Sequence, residues 1–169
     1  MQSPKLLMLN LAISLFALIL ISLSLSADGF GSDIIDGNAI VIDGDTIEIH
    51  GKRIRLDAID APESRQTCLD VTETPYRCGQ KSAFALADMI GRGVVSCQPK
   101  GRDRYKRIIA VCFRGNTNLN AWMVSQGWAV AFRRYGNDYI GQEDEARLAR
   151  RGIWAGSFEL PWDWRARNR

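Results

Sequence analysis

The residue types best suited to chemistry in this sequence lie close together, within residues 41–63. Asp45 stands near the start of this stretch, and Arg55, Asp60 and Glu63 stand in its second half. Carboxylates are hard oxygen ligands for divalent cations, and a guanidinium is a forked donor that matches phosphate. Any one of these residues alone is better explained as a surface charge on a solvated hairpin. The combination indicates a site for a metal ion and a phosphate group.

A β-hairpin is the element that must position these side chains. Apolar and polar residues alternate on both sides of His50-Gly51, with Ile47 and Ile49 before it and Ile54, Leu56 and Ala58 after it. Period-two patterning around a glycine turn predicts two antiparallel strands. Folding back at this turn places Asp45 roughly opposite Arg55. The second strand then carries Asp60 and Glu63 close to the far end of the first.

Composition narrows the function further. The chain has 169 residues, 46% of them hydrophobic and 24% charged, which is typical of one globular domain. A net charge of +3 permits an anionic partner without requiring one. His50 is the single histidine, and the pattern predicts that it lies in a turn. This excludes or strains a histidine general base, a multi-histidine zinc site and a Ser-His-Asp triad.

The N-terminus is a targeting segment. Lys5 is followed by an uncharged apolar run over residues 6–27, which fits a signal peptide spanning residues 1–27 or an uncleaved membrane anchor. Both alternatives place the rest of the chain outside the cytosol, either periplasmic or secreted, or tethered to the membrane through residues 6–27. Residues 28–37 are predicted to be a linker.

Four cysteines follow this segment, an even number that is typical of disulfides in an oxidising compartment. Three pairings are possible. Cys97 and Cys112 lie on two apolar runs that flank a polar connection, so we expect them to face each other across a hairpin. Cys68 and Cys78 would then close the irregular loop of residues 64–77.

The remaining patterns predict short strands alternating with helices. A small barrel flanked by helices, an α+β fold, accommodates this order. The tail, residues 157–169, is rich in tryptophan and is expected to pack on the domain, with its last arginines forming a solvated end or a weak phosphate contact. The predicted strands are 38–42, 94–97, 108–113 and 128–132, and the predicted helices are 79–90, 119–126 and 139–151.

A basic connection completes the pattern, with five lysines and arginines in residues 100–107. Together with it, residues 42–46, 55–63 and 103–107 resemble the three signature blocks of the staphylococcal nuclease (thermonuclease) family. The likeness covers residues 38–154 and includes Gly152-Ile153-Trp154. It implies a five-stranded OB-fold barrel with about three helices over residues 38–156.

The resemblance also implies an activity, the hydrolysis of DNA and RNA by an enzyme that uses one calcium ion. We expect this nuclease to be a monomer that leaves 3′-phosphate ends. The expected roles are calcium ligation by Asp45, Asp60 and the main-chain carbonyl of Ala61, general base catalysis by Glu63, phosphate binding by Arg55 and Arg107, and substrate contacts from Tyr105, Lys106 and Arg104.

Two positions depart from the family pattern. Ala61 replaces a threonine, which a main-chain ligand tolerates. Lys106 replaces a glycine, so a positive φ there would strain the turn and could displace Arg107.

The alternative function is a non-catalytic barrel that binds single-stranded nucleic acid or a peptide. Such a module has no need for clustered carboxylates, which repel phosphate in the absence of a metal.

Overall fold

The computed structural model describes residues 33–168. The predicted signal or anchor segment, residues 1–27, lies outside the described residues. Within residues 33–168, none of the helices combines the length and the apolar character that crossing a membrane requires.

A curled mixed sheet forms a half-barrel at the centre of the domain. Its strands follow the order β1-β8-β9-β4-β3-β2, and β10 pairs with β9. The pairs are antiparallel except for β4 and β9, which run parallel. The strands of this sheet are β1 (Ile35–Asn38), β2 (Ile40–Asp43), β3 (Thr46–Ile49), β4 (Lys52–Leu56), β8 (Val94–Arg102), β9 (Ile108–Arg114) and β10 (Thr117–Asn118).

The β3–β4 hairpin has the predicted two-residue turn. His50 and Gly51 both adopt positive φ, at 51° and 73°, as a type I′ turn requires. The turn sets the register, in which Thr46 faces Arg55 and Ile47 faces Ile54. Both of these isoleucines are fully buried, whereas Arg55 lies on the other face of β4.

Within residues 33–168, four α-helices accompany the sheet: α1 (Cys78–Ile90), α2 (Leu119–Ser125), α3 (Ile140–Leu148) and α4 (Pro161–Arg167), with a 3₁₀ turn at Gly152–Ala155. Asn118 caps α2 by accepting a hydrogen bond from the amide of Ala121, as its residue type favours. Asn120, fully buried on α2, donates to the carbonyls of Asp57 and Ala110 and thereby joins this helix to β4 and β9.

Two small sheets lie beside the main one. Ile59–Asp60 (β5) pairs with Val130–Ala131 (β11), and Cys68–Leu69 (β6) pairs with Pro75–Tyr76 (β7). The second of these sheets gives the 64–77 loop a short hairpin that was not expected from its mixed polar composition.

The two predicted disulfides are present. Cys97 and Cys112 face each other in the β8–β9 register, and Cys68 bonds to Cys78 at the base of the loop. All four cysteines are buried.

The expected α+β fold is confirmed, with three differences of detail. The predicted strand 38–42 is two strands, the first of which begins at Ile35 and pairs with β8 inside the stretch expected to be linker. β8 continues to Arg102 instead of ending at Cys97. The tail carries a helix, α4, that was not predicted, because only the Pro161 start signal marks so short an element.

Replacing Cys97 and Cys112 together by alanine should lower the free energy of unfolding by about 3 kcal/mol, the chain-entropy expectation for a closed loop of this length. The bridged residues are 15 positions apart. Urea titration of the oxidised protein measures the change. Four free thiols by mass spectrometry in the untreated protein, or a variant as stable as the original, would contradict it.

Candidate active site

The hairpin and the strand after it bring two carboxylates to one guanidinium. Arg55 on β4 donates through Nη1 to Asp45 Oδ1 at 2.6 Å and through Nη2 to Asp60 Oδ1 at 2.7 Å. Asp45 ends the β2–β3 turn, and Asp60 lies on β5, which begins three residues after β4 ends. Asp45 and Asp60 are almost completely buried. The structure therefore places Asp45, Arg55 and Asp60 together, as the hairpin predicted.

Further hydrogen bonds fix the Asp45 carboxylate. Its Oδ2 accepts from the amide of Ala61 at 2.9 Å, and its Oδ1 accepts from Thr46 Oγ1 at 3.1 Å. Asp43 in turn accepts from the amide of Asp45 at 3.0 Å. Burial and the neighbouring Asp45 carboxylate raise the pKa of Asp43 to about 7. Asp43 thus contacts the turn that carries Asp45.

A hydrogen bond and close packing fix the backbone of Glu63. Its amide donates to Gln66 Oε1 at 3.1 Å, and Gln66 is fully buried. The N-terminus of α1 packs directly on the Glu63 carbonyl, since a Cβ on Gly79 would lie 1.8 Å from that oxygen. The side chain remains about one-third exposed. Glu63 thus combines a fixed backbone with a carboxylate that solvent can reach.

A second arginine reaches this site from the C-terminal helix. Arg165 on α4 donates through Nη2 to Asp60 Oδ2 at 2.7 Å and through Nη1 to Asp60 Oδ1 at 3.0 Å. The same Nη1 donates to Glu63 Oε1 at 2.7 Å. Arg165 was expected to be part of a solvated end or a weak phosphate contact. It instead forms a forked ion pair with one predicted calcium ligand and bridges to the predicted base.

Burial and the two arginines shift the pKa of Asp60 in opposite directions. Burial raises the pKa of Asp60, hydrogen bonds from Arg165 lower it, and the Asp45 carboxylate adds to the rise. For Arg165, burial lowers the pKa, but the hydrogen bonds to Asp60 and Glu63 outweigh this and raise it. The Arg165 guanidinium is consequently a permanent cation against a buried carboxylate.

Contacts just before α4 and in its first turn hold this helix in place. Before the helix, Gln66 Nε2 donates to the carbonyl of Glu159 at 2.7 Å. Within it, the ring of Trp162 stacks on Phe132 with centroids 5.4 Å apart. Phe132 follows β11, the partner of the strand that carries Asp60. The aromatic residue that supports α4, and with it Arg165, therefore lies next to the strand that pairs with the Asp60 strand.

The 103–107 loop delivers Arg107. Asp103 accepts from the amides of Tyr105 and Arg107 and, through Oδ2, from Arg107 Nε at 2.7 Å. Arg107 Nη1 also contacts Thr46 Oγ1 at 3.4 Å, beside Asp45. Lys106 has a φ of 66°, the strained conformation expected from its replacement of glycine. Asp103 nevertheless keeps Arg107 at the edge of the acidic cluster.

The other predicted substrate contacts lie on the exposed part of this loop. Tyr105 is 65% exposed, and the guanidinium carbons of Arg104 and Arg107 lie 4.8 and 5.7 Å from its ring centroid. Arg104 also donates to the Tyr105 hydroxyl. An exposed aromatic ring flanked by arginines is a suitable surface for a base and its phosphate.

The donor chemistry fits a hard divalent cation. Asp45, Asp60 and Glu63 supply carboxylate oxygens, and two guanidinium groups now stand in as their counter-charges. Within residues 33–168, no group of three acidic, cysteine or histidine side chains already converges on one cation position. A metal ion here would compete with the guanidinium groups for these oxygens.

The relationship of this chain to known proteins agrees with its site. The profile described as "Staphylococcal nuclease homologue" matches residues 53–156, more than half of the chain. The chain belongs to this family. The match begins on β4 and ends at the 3₁₀ turn, so it includes every predicted site residue except Asp45.

Individual relatives of this staphylococcal nuclease homologue carry different names. The succinoglycan biosynthesis protein ExoI of Rhizobium meliloti is 41% identical over 83% of this chain and 75% of its own length. An uncharacterized endonuclease of Haemophilus influenzae is 34% identical over 76% and 71%. A micrococcal nuclease of Shigella flexneri is 36% identical over 74% and 76%.

Three residues that shape the site were not predicted from the sequence of this nuclease homologue. Arg165 and Gln66 carry no local signal, because their partners are remote in sequence. Asp103 did carry a local signal in the sequence. An aspartate four residues before an arginine in a tight turn can pair with that arginine and accept hydrogen bonds from the turn amides.

Replacing Lys106 by glycine should raise the free energy of unfolding by about 0.5–1 kcal/mol. Glycine adopts positive φ without a Cβ clash, and its extra freedom in the unfolded chain offsets part of the gain. Urea titration measures the change. Lys106→Ala is the matched control, because it removes the charge but keeps the Cβ. An equal gain from the alanine variant would show that charge, not backbone strain, is responsible.

Proposed function

We propose that this chain is a calcium-dependent nuclease that hydrolyses phosphodiester bonds of DNA and RNA within the strand. One observation carries the proposal: three carboxylates and two arginines meet in a single network, Asp45–Arg55–Asp60–Arg165–Glu63, on a staphylococcal nuclease homologue. The endonuclease and nuclease names of two relatives support the same reaction class.

Hydrolysis needs a metal ion and a proton acceptor beside the phosphate, and the network offers residues for both. Asp45 and Asp60, with the Ala61 carbonyl, would hold the calcium ion, which when bound supplies positive charge to the phosphate oxygens and helps orient water. Glu63 is the proton acceptor, since its carboxylate is partly exposed beside Asp60, whereas the single histidine, His50, lies in the β3–β4 turn and contacts the Asp36 carbonyl. Water attacks phosphorus, and its proton passes to Glu63. The bond to the 5′-oxygen breaks, this oxygen takes up a proton from solvent and leaves as a 5′-hydroxyl, and the phosphate stays on the 3′-oxygen.

Arginines then stabilise the charge that develops on phosphorus-bound oxygens. Arg107 is the better placed of the two predicted residues, because Asp103 holds only one edge of its guanidinium and the side chain is about one-quarter exposed. Arg55 is more deeply buried and pairs with both Asp45 and Asp60. Its primary contribution is to hold these carboxylates in a fixed arrangement, with its remaining N–H groups free to donate to phosphate.

Digestion of single-stranded DNA by the purified full chain tests the proposal. We expect cleavage with calcium and none with a chelator. RNA as a second substrate tests the breadth of specificity, and end-group analysis tests for 3′-phosphates. Binding of DNA without cleavage under any of these conditions would favour the non-catalytic barrel instead.

Glu63→Gln should lower turnover by about 10²–10⁴-fold, the contribution of a general base, while the protein stays folded. Quantified release of labelled fragments at saturating DNA measures this. Glu48→Gln is the control, since Glu48 lies on β3 of the same hairpin and pairs with Arg53 at 3.9 Å rather than with the site. Activity close to that of the unmodified protein would remove Glu63 from the role of base.

Arg55→Lys should lower kcat by about 10²-fold, because lysine keeps the charge but cannot bridge two carboxylates and a phosphate with a planar fork. Arg53→Lys, two residues earlier on β4 and 65% exposed, is the matched control. Thermal unfolding of both variants separates a loss of activity from a loss of folding. Unchanged kinetics in Arg55→Lys would refute the assigned role.

A further inference from the structure

The C-terminal helix inserts its own cation among the predicted metal ligands. We propose that Arg165 competes with calcium for Asp60 and Glu63, so that this residue of the tail sets the affinity of the site for the ion. The inference rests on the proposed function, since the competing ion is the calcium assigned there. It concerns Arg165, a position outside the family match, which ends at residue 156.

The oxygens of Asp60 are already used. Oδ1 accepts from Arg55 Nη2 at 2.7 Å and from Arg165 Nη1 at 3.0 Å, and Oδ2 accepts from Arg165 Nη2 at 2.7 Å. A carboxylate oxygen has two lone pairs, so Oδ1 has no further acceptor capacity. Oδ2 keeps one lone pair, but Arg165 donates to both oxygens, so a cation bound at Oδ2 would lie against a guanidinium and be repelled by it. Displacing Arg165 removes this repulsion and frees acceptor capacity on both oxygens.

Arg165 is the arginine that can leave. The side chain of Arg55, on β4, is 16% exposed and lies between the carboxylates of Asp45 and Asp60. The side chain of Arg165 is 32% exposed and comes from α4, a helix of seven residues near the end of the described chain. Displacing Arg165 also frees Glu63 Oε1, whereas displacing Arg55 would break the pairing between β4 and β5 side chains.

Tertiary contacts hold Arg165 in its position beside Asp60. Gln66 fixes the chain before α4 while its own oxygen binds the Glu63 amide, so one buried side chain positions both partners. The stacking of Trp162 on Phe132 fixes the helix itself. Arg165 therefore stays at high local concentration beside Asp60, and calcium must overcome an intramolecular competitor.

Calorimetric titration of calcium into the purified full chain tests the inference. Arg165→Ala should bind calcium with a Kd lower by about tenfold or more, because no charge-assisted hydrogen bonds have to be broken. Arg167→Ala is the matched control: Arg167 lies on the same helix, is 69% exposed and pairs with Glu159 instead of the site. Its Kd should equal that of the unmodified protein.

Thermal unfolding gives a second readout that does not depend on nuclease activity. In a chelator, Arg165→Ala should melt at a lower temperature than the unmodified protein, because buried Asp60 keeps only Arg55 as a counter-charge. Saturating calcium should then raise Tm more in this variant than in the unmodified protein. Arg165→Lys, which keeps the charge without the fork, should fall between the two and remains informative if the alanine variant does not fold.

Each of the other outcomes contradicts the inference in a distinguishable way. Equal affinities in the unmodified protein and Arg165→Ala would overturn the competition but leave the proposed function intact. Weaker calcium binding in Arg165→Ala, or unchanged affinity with a raised KM for DNA, would make Arg165 a supporting or substrate-binding residue. No calcium binding by any of the proteins would overturn the calcium dependence and this inference together.

Discussion

A fully buried carboxylate, Asp60, is the constraint on which the site depends. A negative charge without solvent is costly unless cations and hydrogen bonds surround it. Here two guanidinium groups provide three hydrogen bonds, two from Arg165 and one from Arg55. Each arginine also binds a second carboxylate, so that neutralising Asp60 draws Asp45 and Glu63 into the same network. The geometry of the site follows from the need to satisfy one buried charge.

Two kinds of chain segment meet at this carboxylate. Arg55 arrives through a local hairpin whose turn and register are specified within a dozen residues. Arg165 arrives from 105 residues away, and its position depends on packing between α4, Phe132 and Gln66. Local elements form with little loop-closure entropy, whereas remote contacts must be stabilised by burial. The Cys68–Cys78 bridge and the buried Gln66 together limit the freedom of the segment between Glu63 and α1.

The 103–107 loop shows how one side chain offsets a local cost in backbone conformation. Lys106 adopts a conformation that lysine disfavours, yet Asp103 accepts from the main chain and the side chain of Arg107 across the same turn. Charge-assisted hydrogen bonds of this kind are worth more than the strain of one left-handed residue. The loop consequently keeps the arginine beside Thr46.

The sequence by itself determined the hairpin, the pairing of its carboxylates with Arg55, three of the four helices and both disulfides. These features depend on periodicity, turn residues and cysteine spacing, which act over short distances along the chain. Only the tertiary structure decided that α4 exists as a docked helix, that Gln66 joins it to Glu63 and that Arg165 covers Asp60. An arginine in a C-terminal tail looks the same in sequence whether it is solvated or buried against a carboxylate, because the buried charge that attracts it is created by the fold.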